Sequence, residues 1–207
     1  MSEPICKVMV GLPGLGKSTI AEFHREIYDG INMDLFVYST DAVLERIAEQ
    51  TDVFERHIVS AQAEADIAIA QAIKERKDII WDQTNLTVAK RKKIIDRVKQ
   101  AGYQVRCECI LPPNNDFDGD KEEWVHRLAS RAGKIIPQNI LTNMIESFTE
   151  PTIEEGFDMI SFYNMYGDLI GIDYGVTNEM EQEYDGMEIV DEPSQPITDW
   201  DYEDEQP

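Results

Sequence analysis

Residues 11–18 have the residue types and the spacing of a phosphate-binding loop. Gly14 and Gly16 allow the backbone to turn its N–H groups around a phosphate, and the free amides at the start of the following helix favour an anion. In this pattern Lys17 reaches the β- and γ-phosphates of a nucleotide, and the Ser18 hydroxyl is a ligand of Mg²⁺. The alternative is a glycine-rich turn without chemistry, but its position between an apolar, β-branched run and a helix favours nucleotide binding. The residues predicted to bind the nucleotide are Gly11, Gly14, Gly16, Lys17, Ser18 and Thr19.

Two aspartates follow predicted strands further along the chain. Asp41 comes shortly after the apolar run Leu35–Tyr38, and ligands of open α/β sheets bind at the carboxyl ends of strands. Asp82 directly follows the run Asp78–Trp81. An acid in that position suits the second metal-site residue of a phosphate-binding-loop enzyme, which reaches the ion through water. The alternative is that Asp82 only caps the helix that follows.

Basic residues are concentrated in two predicted helices. The helix Val88–Gln100 contains Arg91 among six basic residues, which either face solvent or, near the start of the helix, contact substrate phosphates. Arg127 and Arg131 are four residues apart, so both guanidinium groups lie on one face of a helix. Such a pair can neutralise a transferring phosphoryl group when a lid closes. The alternative is that both arginines form salt bridges with the acidic C-terminal residues.

The net charge of −22 is distributed unevenly along the 207 residues. Residues 135–207 contain 19 acidic residues and no lysine or arginine, whereas 1–134 contain 22 acidic and 19 basic residues. Fourteen of the basic residues lie in 74–134. An acidic total normally argues against nucleic acid as a partner, but here the basic residues lie among the motifs. We therefore predict a domain over 1–174 and an acidic, flexible tail over 175–207, which either covers the basic lid region or recruits a partner.

The sequence also indicates in which cellular compartment the protein is expected. No apolar run reaches the roughly 18 residues that a membrane helix needs, and the N-terminus lacks the pattern of a signal peptide. Three cysteines in strand-like runs, Cys6, Cys107 and Cys109, indicate reduced and buried thiols. These features predict a cytoplasmic protein, in the host cytoplasm if the gene belongs to a phage.

Three segments resemble the kinase domain of phage polynucleotide kinases and the wider family of P-loop kinases related to them. They are Gly11–Thr19, the stretch Trp81–Arg91, and Arg127–Pro137 followed by Ile140, Leu141 and Met144. The resemblance covers about residues 5–163. It implies an α/β P-loop NTPase fold: a three-layer sandwich with about five parallel strands, helices on both faces and an arginine-bearing lid.

The same resemblance assigns roles to individual residues and implies ATP and Mg²⁺ as cofactors. Lys17 and Ser18 would bind the ATP phosphates and the metal. Asp41 would be the general base that accepts the proton of the acceptor hydroxyl. Arg131 would contact the donor phosphates with Arg127 beside it. Asp82 resembles the acidic residue at the end of the third strand, and it would contact the metal through water.

Two departures from the family pattern concern the acceptor. Leu44 stands where end-phosphorylating members have an arginine three residues after the base, and Gln83 separates the acid from the following threonine. The candidate acceptor-binding residues are Thr84, Asn85, Arg91 and Arg46. The expected activity is phosphorylation of a DNA hydroxyl, either the 5-hydroxymethyl group of hydroxymethyluracil or a 5′-OH end. A base acceptor in duplex DNA must leave the stack, which predicts an aromatic or apolar pocket near Asp41.

Two other functions remain open at this point. A kinase of a nucleotide or other small metabolite would have a narrow acceptor pocket and an activity that depends little on salt. A non-catalytic, nucleotide-dependent binding module would need neither Asp41 nor the lid arginines.

Overall fold

The computed structural model describes residues 3–31, 33–43, 58–113, 118–130 and 136–175, which all belong to one unit, Met1–Gly175. Within a described helix, the side chains of 58–60 and 118–119 are left out. The predicted tail falls beyond this unit and outside the described residues. No helix among the described residues is both long and apolar enough to span a membrane.

Six strands form one sheet in the order β2-β3-β1-β4-β5-β6. The first five are parallel to their neighbours, and β6 runs antiparallel to β5 at the edge. The strands are β1 (Ile5–Val10), β2 (Leu35–Tyr38), β3 (Asp78–Trp81), β4 (Gln104–Ile110), β5 (Met159–Tyr163) and β6 (Leu169–Tyr174). All five parallel strands therefore end at the same edge of the sheet, where the phosphate-binding loop follows β1.

Five α-helices connect or flank these strands in the described parts of the chain. They are α1 (Lys17–Gly30), α2 (Ile58–Lys74), α3 (Val88–Gln100), α4 (Asp118–Ala129) and α5 (Gln138–Ser147). A further helical turn begins at 40, directly after β2, and is described as far as 43. A 3₁₀ turn, Ile153–Glu155, precedes β5.

Side chains on β1 alternate between two hydrophobic cores, one on each face of the sheet. Val8 packs in the core that contains Ile69 of α2 and Ile95 of α3. Met9 points to the other face, in the core that contains Ile20 of α1. Because successive residues of a strand face opposite sides, a central strand covered by helices on both sides is apolar at nearly every position. The α/β three-layer fold predicted from the sequence is confirmed.

The sixth strand was not expected from the sequence. It forms a hairpin with β5, in which Asn164 Oδ1 accepts hydrogen bonds from the N–H groups of Tyr166 and Asp168, both at 2.9 Å. The sequence does contain a signal for this hairpin, because a short turn that contains Gly167 separates two runs of β-branched and aromatic residues. The consequence is an antiparallel edge on an otherwise parallel sheet.

The three cysteines are free and buried. Burial raises the pKa of Cys6, Cys107 and Cys109, in the last case to about 12. A thiol with a raised pKa is a poor nucleophile, so these residues act as small apolar side chains of the core.

Candidate active site

The phosphate-binding loop has a backbone that only glycine adopts easily at two positions. Gly14 has φ 80° and Gly16 has φ 98°, both in the left-handed region. Gly16 is the N-cap of α1 and has no side chain that could accept from the first N–H groups of the helix, and free N–H groups at the start of a helix favour an anion. Lys17 is 9% exposed, and its Nζ donates to the Leu12 carbonyl at 2.8 Å, across the loop.

Ser18 and Asp82 lie together beside this loop. The Ser18 hydroxyl donates to Asp82 Oδ2 at 3.4 Å. Asp82 is held there by its backbone, because its N–H donates to the Tyr38 carbonyl at 2.9 Å and so continues the pairing of β3 with β2. A hydroxyl and a carboxylate are the oxygen ligands that suit Mg²⁺, which keeps several waters in such sites. These two residues fit a divalent cation bound next to a phosphate.

Asp41 lies on the helical turn that follows β2. Ser39 starts this turn, since its Oγ and its carbonyl accept hydrogen bonds from Ala42 N–H at 3.3 Å and Val43 N–H at 3.4 Å. Asp41 is exposed. Tyr38 is paired with Trp81 at the ends of the two strands, so Asp41 and Asp82 follow neighbouring strand ends at one edge of the sheet.

Helix α4 packs on the phosphate-binding loop. The Trp124 indole N–H donates to the Pro13 carbonyl at 2.8 Å, and the Trp124 side chain is 6% exposed. A Cβ atom on Gly14 would lie 3.0 Å from Leu128 Cδ2. The absence of a side chain at Gly14 thus serves two purposes, the turn of the loop and the close approach of α4.

Arg127 is bound to its neighbours in this conformation. Its Nε donates to Glu123 at 2.8 Å, one terminal nitrogen donates to the Met165 carbonyl at 2.6 Å, and its guanidinium lies 5.3 Å from the ring centre of Tyr166. The Tyr166 hydroxyl in turn donates to Asp120 on α4 at 2.7 Å. Arg127 therefore joins α4 to the β5–β6 hairpin, and contact with a phosphate would require these bonds to exchange.

A model of the AAA domain family matches residues 7–151, which include the phosphate-binding loop, Asp41, Asp82 and helix α4. This chain belongs to that family of P-loop kinases. Membership implies ATP binding at the loop.

Two curated relatives are similar to this P-loop kinase over 152 residues each. One is the bifunctional polynucleotide phosphatase/kinase of Schizosaccharomyces pombe, with 26% identity over 72% of this chain and 31% of the relative. The other is the L-seryl-tRNA(Sec) kinase of Methanococcus maripaludis, with 24% identity over 73% of this chain and 55% of the relative. The chain thus matches about a third and about half of the lengths of these proteins.

Among solved structures, the crystal structure of Chaetomium thermophilum Kti12 in complex with ADP-AlF3 has the same fold. The TM-score is 0.54 with 20% identity, over 77% of this chain and 88% of Kti12.

The structure argues against Arg91 as an acceptor-binding residue. Arg91 is fully buried, and its Nε and one terminal nitrogen bind the Glu155 carboxylate at 2.8 and 2.6 Å. The other terminal nitrogen donates to three backbone carbonyls, those of Asn85, Leu86 and Thr149, at 2.9–3.1 Å. With its donors used inside the protein, Arg91 fixes the segment after β3 to the turn before β5.

Asn85 and Thr84, the neighbouring candidates, also have internal contacts. Asn85 is fully buried with φ 47°, and its amide donates to the Met9 carbonyl at 2.8 Å. The Thr84 carbonyl accepts from Gly11 N–H at 3.1 Å, while its side chain is half-buried. The burial of the Asn85 side chain argues against a direct contact with a substrate in this conformation. Thr84 stays a prediction.

Three predicted positions, Arg131, Arg46 and Leu44, lie outside the described residues. Their proposed roles on the donor and the acceptor therefore remain predictions.

A cavity of about 300 Å³ lies between the end of β2, the turn from 40 and helix α2. Its lining is mostly apolar, and four of the lining residues flank Thr40 and Asp41 in the sequence. The lining residues are Phe36, Val37, Tyr38, Ser39, Ala42, Val43, Glu64, Ala65 and Ala68. The Tyr38 hydroxyl accepts from Gln62 at 2.7 Å and donates to Asp66 at 3.2 Å, and burial raises the pKa of this phenol. The volume is at the small end of ligand sites.

Two residues of this site had no assigned role in the sequence. Trp124 holds the loop, and its signal was a large apolar residue in a mostly polar helix. Gln83 donates to the Thr40 hydroxyl at 3.1 Å, and its signal was its position between Asp82 and the threonine. In both cases the sequence showed an unusual side chain but could not predict its hydrogen-bond partner, the Pro13 carbonyl for Trp124 and the Thr40 hydroxyl for Gln83.

Proposed function

We propose that this P-loop kinase transfers the γ-phosphoryl group of ATP, with Mg²⁺, to a hydroxyl group carried by DNA. The observation that carries the proposal is the set of oxygen groups beside the loop. Ser18 and Asp82 are 3.4 Å apart, and Asp41 follows the neighbouring strand end. A module that only binds a nucleotide needs no exposed carboxylate at the adjacent strand end, whereas a kinase needs one to accept a proton.

The proposed reaction uses these groups in fixed roles. Lys17 exchanges its bond to the Leu12 carbonyl for the β- and γ-phosphates, and Ser18 with Asp82, through water, would hold the Mg²⁺. When bound, Mg²⁺ supplies positive charge next to the phosphates. Asp41 accepts the proton of the acceptor hydroxyl as its oxygen forms a bond to the γ-phosphorus. The bond from phosphorus to the β–γ bridging oxygen breaks, and ADP leaves.

The two curated relatives support an acceptor carried by nucleic acid. Their names describe a kinase of polynucleotides and a kinase of seryl-tRNA. In this chain, Lys90 and Lys93 are exposed on one face of α3, close to its start. Neither forms an ion pair with another described residue, whereas Lys92 pairs with Asp96 at 3.5 Å. Unpaired lysines beside the site suit phosphate groups of a nucleic acid.

The cavity beside β2 supports a base as the part of the DNA that carries the hydroxyl. Its apolar lining includes Phe36 and Tyr38, as expected for a pocket that receives an unstacked base. We rank the 5-hydroxymethyl group of hydroxymethyluracil, an acceptor of phage DNA modification, ahead of a 5′-OH end. Because the proposed reaction depends on ATP, we expect the protein to act in the cytoplasm. If the gene belongs to a phage, this is the cytoplasm of the host cell.

The test is transfer of label from γ-labelled ATP to two matched duplexes. One carries internal 5-hydroxymethyluracil and blocked 5′ ends, and the other carries unmodified bases and free 5′-OH ends. We expect label in the first duplex. Label in the second duplex only would identify an end kinase. Label in neither, with ADP still bound, would favour a small-metabolite kinase or a non-catalytic module.

The controls are Asp41→Asn and Lys17→Met. Asp41→Asn keeps the size of the side chain but cannot accept the proton, so we expect transfer to fall about 100-fold or more with ADP affinity unchanged. Lys17→Met should weaken both nucleotide binding and transfer. Full transfer by Asp41→Asn would contradict the role of Asp41.

A further inference from the structure

The ends of β2 and β3 are joined by side chains as well as by the sheet. The ladder ends with the Asp82 N–H donating to the Tyr38 carbonyl at 2.9 Å. Beyond that bond the two chains diverge, one into the turn from 40 and the other toward α3. Contacts between the two diverging segments would therefore help to fix the spacing between Asp41 and Asp82.

Gln83 supplies such a contact. Its side-chain N–H donates to the Thr40 hydroxyl at 3.1 Å, and its side-chain carbonyl accepts from the Trp81 indole N–H at 3.4 Å. Trp81 is 5% exposed and packs against Tyr38 with 4.4 Å between ring centres. The indole thus orients the amide from a rigid core, and the amide reaches the residue directly before Asp41.

We propose that Gln83 is a positioning residue that sets Asp41 at the correct distance from the nucleotide phosphates, which bind at the loop beside Ser18 and Asp82. This role rests on the proposed function. This role requires no contact of Gln83 with the nucleotide or the acceptor. It acts through Thr40, by fixing the turn that carries the base to the segment that carries the metal carboxylate. A loss of that fixation would misplace the base, and small displacements of a reacting group have large effects on rate.

The experiment is a double-mutant cycle with Gln83→Leu and Thr40→Val, which remove the amide and the hydroxyl while keeping the approximate shapes. We expect each single variant to lower kcat for phosphorylation of the acceptor duplex about tenfold. The double variant should also lose about tenfold, because both changes break the same bond. The KM for ATP and the Kd for ADP should stay as in the wild type. Thr40→Ser keeps the hydroxyl and should retain kcat.

Gln71→Leu is the matched control, because Gln71 is an exposed residue of α2 whose amide binds only Glu75 among its described neighbours. An unchanged kcat in Gln83→Leu would overturn the positioning role, as would a loss of about 100-fold in the double variant. A parallel rise in the KM for ATP would also contradict it, since the nucleotide site would then be disturbed as well. A wild-type protein that phosphorylates neither duplex would overturn the proposed function, and the role of Gln83 with it.

Discussion

At the scale of single residues, Arg91 is the clearest case of a charge used for structure. The Arg91 side chain is fully buried, and two of its nitrogens bind the Glu155 carboxylate at 2.8 and 2.6 Å. Arg91→Met would remove the charged partner of the buried Glu155 carboxylate and one donor to each of three backbone carbonyls. We expect a loss of about 3–5 kcal/mol in the free energy of unfolding, measured by urea denaturation.

Arg91→Lys keeps the charge but loses the forked geometry, so it should be destabilised less and serve if Arg91→Met does not fold. Lys92→Met is the control on the same helix, because Lys92 is 62% exposed in its side chain. Unchanged stability together with a higher KM for the acceptor would return Arg91 to the acceptor site.

Glu108 has the second unusual carboxylate, buried on the face of the sheet covered by α1. Burial pushes its pKa upward, but the polar groups of the neighbouring His24 and Tyr163 and the charge of Lys7 outweigh that effect and leave the pKa lowered. A lowered folded pKa adds stability above the pKa of an unfolded glutamate, 4.5, and this stability is lost as the pH falls through the folded pKa.

Glu108→Gln should therefore reduce stability at pH 7 by about 2 kcal/mol and make unfolding less sensitive to acid. The measurement is the free energy of unfolding between pH 7 and the acid transition. Glu122→Gln, an exposed change on α4, is the control and should follow the wild type. The prediction fails if both variants show the same acid dependence.

At the scale of elements, the contact of α4 with the phosphate-binding loop is the feature that most directly links fold and nucleotide. Trp124→Phe keeps most of the apolar contact but removes the N–H that binds the Pro13 carbonyl at 2.8 Å. We expect a loss of about 1–3 kcal/mol in stability and several-fold weaker ADP binding, because the loop loses one of its supports. Urea denaturation and calorimetric titration with ADP measure the two effects.

Val125→Ala is the matched control, since Val125 is on the same helix and 55% exposed. It should leave ADP binding unchanged. Lower stability of Trp124→Phe with unaltered ADP affinity would show that α4 contributes packing alone.

The elements were largely predictable, because most strands and helices here follow their own hydrophobic periodicity. Helix α3 was predicted with the same bounds, Val88–Gln100. The role of Arg91 was missed although it lies at the spacing of the buried Ile94, Ile95 and Val98. That spacing indicates the buried face, but Glu155 is 64 residues away, and no local pattern connects the two. Long-range polar pairs of this kind depend on tertiary structure, and so does the bond from Gln83 to Thr40.

At the scale of the whole molecule, the distribution of charge is the main feature. Residues 176–207 contain 12 acidic residues and no lysine or arginine, so the remaining 175 residues have a net charge of −10 instead of −22. A chain with so many negative charges repels DNA over a distance set by the salt concentration. We expect these charges to weaken the binding of DNA by electrostatic repulsion.

Deletion of 176–207 should raise the affinity for DNA at about 50 mM salt, and the difference from the full chain should shrink by about 200 mM. The physical reason is that screening removes the repulsion as the Debye length falls. Fluorescence anisotropy with a labelled duplex measures the affinity, and the melting temperature tests whether the described domain is intact. A full-length variant with these 12 acids changed to amides separates charge from length, and it should behave like the deletion. Equal affinities of all three proteins at low salt would contradict this repulsion, and recruitment of a partner would then stand as the alternative prediction for the tail.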